Sequence, residues 1–335
     1  MLAIEKINGM AVTKNSQGIK ISCFCLAWLL ALTCVFSSCA TQIKRPDAVL
    51  HTPTSSGYIP CISNDDSIEI SAAQAFVYDI SAGGFTYLKG NDTIMYPAST
   101  TKLLTILYAL TLLDPSEIVA PGDELDLVAK DASIAYIKQS HKLSVEMLIE
   151  GMLLPSGNDA AYALAATAGK KLLSLSNSAT DDVSGTTAVG KFIEGMNDYA
   201  VSIGMCGSHF ESPDGYYSDG HYSTLEDIAI VSKLAYENEI IRKYSGLHED
   251  DVIYASGHTN HWTNTNLMLD KNSEYYCPYV NGLKTGSAGK GNYSLICSLE
   301  ISGRAYIIGV FSAKGKNERF ADMKTIIDRI IAVSA

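Results

Sequence analysis

Ser99-Thr-Thr-Lys102 sets a hydroxyl and an amine three residues apart. On a helix those two positions share a face, so the amine can reach the hydroxyl. A serine hydroxyl is a poor nucleophile at its own pKa, and a lysine can act as its base once burial or positive neighbours lower the amine's pKa. A serine near a helix N-terminus also has backbone N–H groups available to a developing oxyanion. The spacing alone is not diagnostic, because Ser287-Ala-Gly-Lys290 repeats it in a glycine turn where no helix is expected. Two more short motifs follow in the chain. Ser156-Gly-Asn158 offers small polar side chains that could point into a cleft, or simply cap a helix. In Lys284-Thr-Gly286 an amine and a hydroxyl can hold a carboxylate while glycine lets another backbone approach, or the triplet can be a surface hairpin.

The elements that must position these groups are legible from periodicity. Two short β-rich runs flank Ser81-Ala-Gly-Gly84 and predict a hairpin over residues 74–89. Leu103, Leu104, Leu107 and Leu110 recur at helical spacing and predict a buried helix over 99–113, stopped by Asp114-Pro115. Ser144 caps a second helix that runs to Pro155, and an alanine-rich helix over 159–168 is closed by Gly169, so Ser156-Gly-Asn158 falls in the break between them. Residues 172–190 are rich in Ser, Thr, Asp and Gly and predict a flexible insertion. Helices are expected over 192–203 and 224–236, strands over 279–284, 293–300 and 304–311, and an amphipathic helix over 318–332. Runs of strands around a helical middle, rather than strict β-α alternation, predict an α+β domain with an antiparallel sheet flanked by helices and a helical subdomain.

The order S-x-x-K, S-x-N, K-T-G is the signature of penicillin-recognising serine enzymes. The chain resembles the low-molecular-mass penicillin-binding proteins of the serine D-alanyl-D-alanine carboxypeptidase type, peptidase S11. The resemblance extends through Tyr96-Pro-Ala-Ser-Thr-Thr-Lys-Leu-Leu-Thr105, Ser156-Gly-Asn-Asp-Ala-Ala161, Phe192-Ile-Glu-Gly-Met-Asn197, Phe210-Glu-Ser-Pro-Asp-Gly215, His221-Tyr-Ser-Thr-Leu-Glu-Asp227, Asn264-Thr-Asn266 and Gly282-Leu-Lys-Thr-Gly286. It covers residue 73 to the C-terminus. It implies a β-lactamase/transpeptidase-like fold and the removal of terminal D-Ala from peptidoglycan stem peptides, with β-lactams as covalent inhibitors and no cofactor. Ser99 is then the acylated nucleophile and Lys102 its base. Ser156 serves as proton relay beside the substrate-positioning Asn158, and Lys284 and Thr285 form the carboxylate clamp next to Gly286 and Ser287. Backbone N–H groups of Ser99 and Ser287 are the implied oxyanion hole.

At 335 residues, 47% hydrophobic and 18% charged, the chain is long and apolar enough for a substantial core, which excludes a disordered or collagen-like protein. Thirty-six acidic against 25 basic residues, with no basic block, argue against a nucleic-acid partner. Residues 21–36 form a 16-residue apolar run behind Lys14 and Lys20, followed by Ser37-Ser-Cys-Ala40: a secretory signal pattern just short of spanning length. Phe36-Ser-Ser-Cys39 resembles a lipobox with Cys39 as the lipidated residue, while Ser38-Cys-Ala40 also fits signal-peptidase cleavage; both stay open beside a retained anchor. The expected division is residues 1–40 as signal peptide or N-terminal lipoprotein or membrane anchor, 41–70 as a flexible tether, and 71–335 as the catalytic domain. Export to the outer face of the cytoplasmic membrane or the periplasm follows, with membrane attachment through the N-terminus. Cys61, Cys206, Cys277 and Cys297 lack C-x-x-C spacing and are expected as isolated buried thiols, although Cys277 and Cys297 flank a hairpin and could face each other.

Several features compete with this reading. His258-Thr-Asn-His261 has metal-like spacing, but no glutamate lies between the histidines and polar loop residues are the better reading. Gly286-Ser-Ala-Gly-Lys290 lacks the spacing of a phosphate loop. A class A β-lactamase needs a glutamate to activate the deacylating water, and Glu194 is the one candidate at a suitable distance; its helical context predicts a solvated face instead. The remaining rival is a catalytically silent cell-wall peptide-binding protein, against which the intact motifs argue.

Overall fold

The computed structural model describes residues 6–7, 10–11, 68–176, 183–289 and 292–334. The signal-like run, Cys39, Cys61 and the tether up to residue 67 lie outside the described residues. The chain divides into two units, residues 1–52 and 53–335. In the first, two strands, β1 (Lys6–Ile7) and β2 (Met10–Ala11), pair antiparallel. Everything below concerns the second.

Gly83 takes the left-handed conformation, φ +69°, in the turn that joins β3 (Gln74–Asp79) to β4 (Gly84–Lys89), the hairpin expected there. The apolar-rich helix α1 (Lys102–Leu110) follows, every residue but Leu110 buried, as an element hydrophobic on all sides must be. Short strands β5 (Ile118–Val119) and β6 (Leu143–Ser144) pair ahead of α2 (Val145–Leu153), whose Ser144 cap accepts from Met147 N at 3.1 Å. Then come α3 (Asn158–Leu175), α4 (Gly185–Ser202), α5 (Leu225–Glu237) and α6 (Glu239–Ser245). A hairpin of β7 (Glu249–Ile253) and β8 (Thr259–Thr263) leads to β9 (Val280–Ser287), β10 (Tyr293–Ile301), β11 (Arg304–Ala313) and the last helix, α7 (Glu318–Ser334).

The main sheet is antiparallel throughout, in the order β4-β3-β11-β10-β9. Alternate residues point to opposite faces, and both faces are covered. Val77, Leu295, Ile308 and Val310 pack with Phe320, Met323, Ile326 and Ile330 of α7, while Phe76, Ile296, Ile307 and Phe311 join the larger core formed with α1 to α6. Burial on both sides explains why these strands run nearly continuously apolar. Ile68, within the stretch read as tether, is buried in the α7 side of the core.

Two expectations need correction. Gly169 does not end its helix, because α3 continues to Leu175; a Cβ at 169 would lie 1.9 Å from Ala188 O, so this glycine permits close packing of α3 on α4. Residues 172–190 are not a flexible insertion as a whole, since both flanks of residues 177–182 are helical. Ser184 caps α4 by accepting from Thr187 N, and Gly185 N donates to Asp123 Oδ1 at 2.9 Å. Polar caps, not apolar period, define that start. The β7–β8 hairpin went unpredicted: apart from Ile253 its outward residues are charged or polar, and only Val252 and Trp262 are buried along it.

Candidate active site

Ser99 lies in a single 3₁₀ turn, Ala98–Thr101, that leads into α1. Residues i and i+3 eclipse in a 3₁₀ turn, and Lys102 Nζ stands 2.8 Å from Ser99 Oγ. The turn is entered through Ala98 at φ +50°, a conformation alanine adopts only under constraint. Gly215 presses on it from the opposite loop, where a Cβ would lie 1.8 Å from Ala98 O. Ser156, in the break between α2 and α3, is a second strained residue at φ +63°. Strain of this kind concentrates where function fixes a geometry.

Lys102 is buried, and its Nζ meets two further acceptors, Asn158 Oδ1 at 2.8 Å and the Asp214 carbonyl at 3.0 Å. These two oxygens occupy two of the three directions an amine can use. A neutral Lys102 therefore points its lone pair at the Ser99 hydroxyl. Burial pulls its pKa down to about 8, against the opposing fields of Asp214 and Asp159. Asn158 opens α3 and is itself oriented, since its Nδ2 donates to Asp214 Oδ2 at 2.5 Å. His221 braces the same turn: Glu211 N donates to its Nδ1 at 3.2 Å, so Nε2 carries the hydrogen and donates to Thr101 Oγ1 at 2.9 Å. Burial lowers the His221 pKa to about 4, which keeps the ring neutral.

Asp159, next to Asn158, accepts from Ala135 N and Ile137 N, each at 2.8 Å. Trp262 Nε1 and Asn260 Nδ2 hold the Ala135 carbonyl at 3.0 and 2.8 Å. The segment so fixed carries Ser133 to the site. On the other wall, edge strand β9 brings Thr285, whose Oγ1 lies 2.6 Å from Thr265 Oγ1. Gly286 lets that strand come against the Ser99 turn, with Ala98 Cβ and Pro97 O only 3.2 Å from where its own Cβ would be.

Ser99, Ser133 and Ser287 stand between two clefts. One, of about 510 Å³, is lined also by Ser156, Thr265, Thr285, Lys316 and Arg319. The other, of about 470 Å³, is lined by Asn158, Asp131, Gly215, Tyr216 and Tyr217. Lys284 is buried and among the lining residues of neither; its amine donates to Thr285 O at 3.1 Å. Burial first, then the facing cations Lys102 and Arg319, push its pKa well below the usual lysine value. Arg319, also buried, lines the first cleft. It donates to Gly286 O at 2.9 Å and leaves Nε buried without a partner, and burial lowers its pKa only to about 10.

The three motifs thus converge, and Ser99, Lys102, Ser156, Asn158, Thr285, Gly286 and Ser287 all contact the clefts or each other. Sequence reasoning missed Arg319, Asp214, Ser133 and Thr265. Asp214 and Thr265 stand in segments that carried the resemblance, whereas Arg319 sits in the first turn of α7, read from the sequence only as part of an amphipathic helix. Glu194 is on the exposed face of α4, paired with Lys191 at 2.9 Å and lining neither cleft. His258 bonds Ser256 within the turn, while His261, on β8, bonds its cross-strand partner Asp251 on β7, so the two histidines serve separate contacts. Cys277 and Cys297 are free and buried, whereas Cys206 is free but exposed, against the expectation of a buried thiol.

The profile of the D-alanyl-D-alanine carboxypeptidases, peptidase S11, matches residues 61–315. The carboxypeptidase DacF of Bacillus subtilis is 28% identical over 77% of this chain and 61% of its own length. The carboxypeptidase DacD of Escherichia coli is 29% identical over 75% and 61%. This chain therefore spans about three fifths of those relatives. Among solved structures, the Streptomyces K15 DD-transpeptidase superposes with a TM-score of 0.69 at 28% identity, over 79% of this chain and 98% of its own. Ampicillin-bound penicillin-binding protein D2 of Listeria monocytogenes gives 0.62 at 27%, over 79% and 99%.

Proposed function

Because the chain belongs to the D-alanyl-D-alanine carboxypeptidase family of serine peptidases, we propose that it removes the terminal D-alanine from peptidoglycan stem peptides through an acyl-enzyme on Ser99. The observation that carries this reading is the 2.8 Å contact between Ser99 Oγ and the amine of buried Lys102. Ser99 Oγ attacks the carbonyl of the penultimate D-Ala while its proton passes to Lys102 Nζ. The oxyanion lies toward the backbone N–H groups of Ser99 and Ser287, where preorganised donors do most for a developing charge. A proton returned through Ser156 to the leaving nitrogen frees D-alanine. Water then adds to the ester, its proton going to Lys102, and Ser99 leaves with a hydrogen restored.

The terminal carboxylate fits the cleft of Thr285, Lys316 and Arg319, with the buried Lys284 amine behind its wall. The rest of the peptide extends into the Tyr216 and Tyr217 side. β-Lactams occupy the same place as cyclic amides, a reading supported by the ampicillin-bound neighbour. Exposed Glu194 lines neither cleft, which disfavours a β-lactamase. Export and N-terminal attachment, by Cys39 or by a retained anchor, rest on the sequence pattern of residues 14–40. No described helix is long and apolar enough to cross a membrane.

Incubated with an N-acetylated tripeptide ending in D-Ala-D-Ala, the wild-type protein is expected to yield product one D-alanine shorter, by mass spectrometry, and Ser99→Ala none. Release by Ser99→Ala at the wild-type rate, or none by the wild type, sinks the proposal.

A further inference from the structure

Asp214 stands behind Lys102 and Asn158 without touching either cleft. It is 1% exposed, and each of its three oxygens accepts a hydrogen bond. Its carbonyl accepts from Lys102 Nζ, and its Oδ2 accepts from Asn158 Nδ2 at 2.5 Å. Oδ1 accepts from Ser212 Oγ at 2.7 Å and from Tyr216 N at 3.0 Å. The segment that carries it is tied to α1, where Thr105 Oγ1 donates to Pro213 O at 2.7 Å.

Two consequences follow from this arrangement. First, an asparagine amide can sit either way round, and only one way suits the base. With Nδ2 held by a carboxylate, which accepts and never donates, Asn158 must present Oδ1 to Lys102. Second, a carboxylate one residue's width behind a buried amine is a counter-charge in a site where screening is weak. The other ionisable groups around Lys102 are Asp159 on α3 and Lys284 on β9, with Arg319 of α7 beyond Lys284. Tyr162 and the neutral ring of His221 face Asp214 itself, and Glu211 faces that ring.

We propose that Asp214 is a positioning residue of the catalytic network: its carboxylate locks the Asn158 amide in the orientation Lys102 needs, and its negative charge counterbalances the burial of Lys102. Resting on the Ser99–Lys102 reading, this deepens it by naming what controls the base. The field of Asp214 is the largest of those that oppose the desolvation of Lys102. Without it, burial acts with less opposition, the amine loses its proton at lower pH, and the base form is present earlier.

The test is the pH dependence of covalent acylation of Ser99 by penicillin, followed by intact mass. In the wild type the rate rises with pH as Lys102 deprotonates. In Asp214→Asn that acid limb moves down by about one pH unit, and the plateau also falls because the Asn158 amide is no longer held. Asp214→Glu, which keeps the charge but not the geometry, retains the wild-type limb with a lowered plateau. Ser212→Ala, which removes one hydrogen bond and no charge, leaves the limb in place and supplies a readout even where Asp214→Asn does not fold. A limb unmoved in Asp214→Asn, or one moved by about half a unit or more in Ser212→Ala, overturns the proposal, since loss of structure alone lowers a rate without shifting its pH dependence. Absence of any wild-type adduct at every pH contradicts the Ser99 reading itself, whereas an adduct whose limb ignores Asp214 contradicts this inference alone.

Discussion

Lys102→Ala is expected to slow acylation of Ser99 by roughly 10²- to 10⁴-fold, the usual contribution of a positioned general base. The lysine amine is the group within 2.8 Å of Ser99 Oγ, and two fixed acceptors orient it there. In the wild type only neutral Lys102 can take the hydroxyl proton. With a pKa near 8, acylation therefore climbs about tenfold per pH unit below that value and levels above it. Lys102→Arg keeps a positive charge but cannot deprotonate, so it should be as slow as Lys102→Ala and show no such limb. Stopped-flow acylation with a chromogenic β-lactam across pH 5 to 10 measures both. An arginine variant with wild-type rate and limb would remove Lys102 from the role of base.

Arg319→Ala carries the second large effect. The guanidinium is the buried cation lining the cleft beside Thr285, and it has a buried Nε still without a partner. Truncating one side of a buried charge-assisted contact costs roughly 2–5 kcal/mol, about 30- to several-thousand-fold in kcat/KM. A peptide ending in D-Ala-D-Ala amide, which has no terminal carboxylate, should be cleaved poorly by the wild type and lose little more in the variant. Because Arg319 also donates to Gly286 O and Ser294 O, a purely structural defect would lower both substrates equally. Equal loss on acid and amide therefore refutes a carboxylate-binding Arg319.

How much of this was legible in the sequence depended on range. Ser99 and Lys102 are three residues apart, and local geometry alone brings them together. The periodic helix behind them and the apolar strands of the sheet were equally plain, because burial on both faces leaves a strong pattern. The turn itself was less so: where a regular helix was expected there is a 3₁₀ turn entered at positive φ, and Gly215, by lacking a Cβ, lets the opposite loop close on it. Asp214 lies 112 residues from Lys102 along the chain, and no local pattern signals such a contact. Arg319 was hidden for the same reason. Gly169 misled because its spacing suits a helix stop, whereas its cause is the approach of another helix at Ala188. The polar text around Ser184 misled because caps, unlike cores, leave no period.

The most direct measurement is intact-mass spectrometry of the protein after penicillin treatment, wild type beside Ser99→Ala. With no glutamate among the described residues that line either cleft, the tethered leaving group of the opened ring should leave a long-lived adduct, one penicillin per chain, on the peptide that contains Ser99. Ser99→Ala should stay at its native mass. Rapid hydrolysis of penicillin without an adduct, or an adduct that persists in Ser99→Ala, would contradict the account.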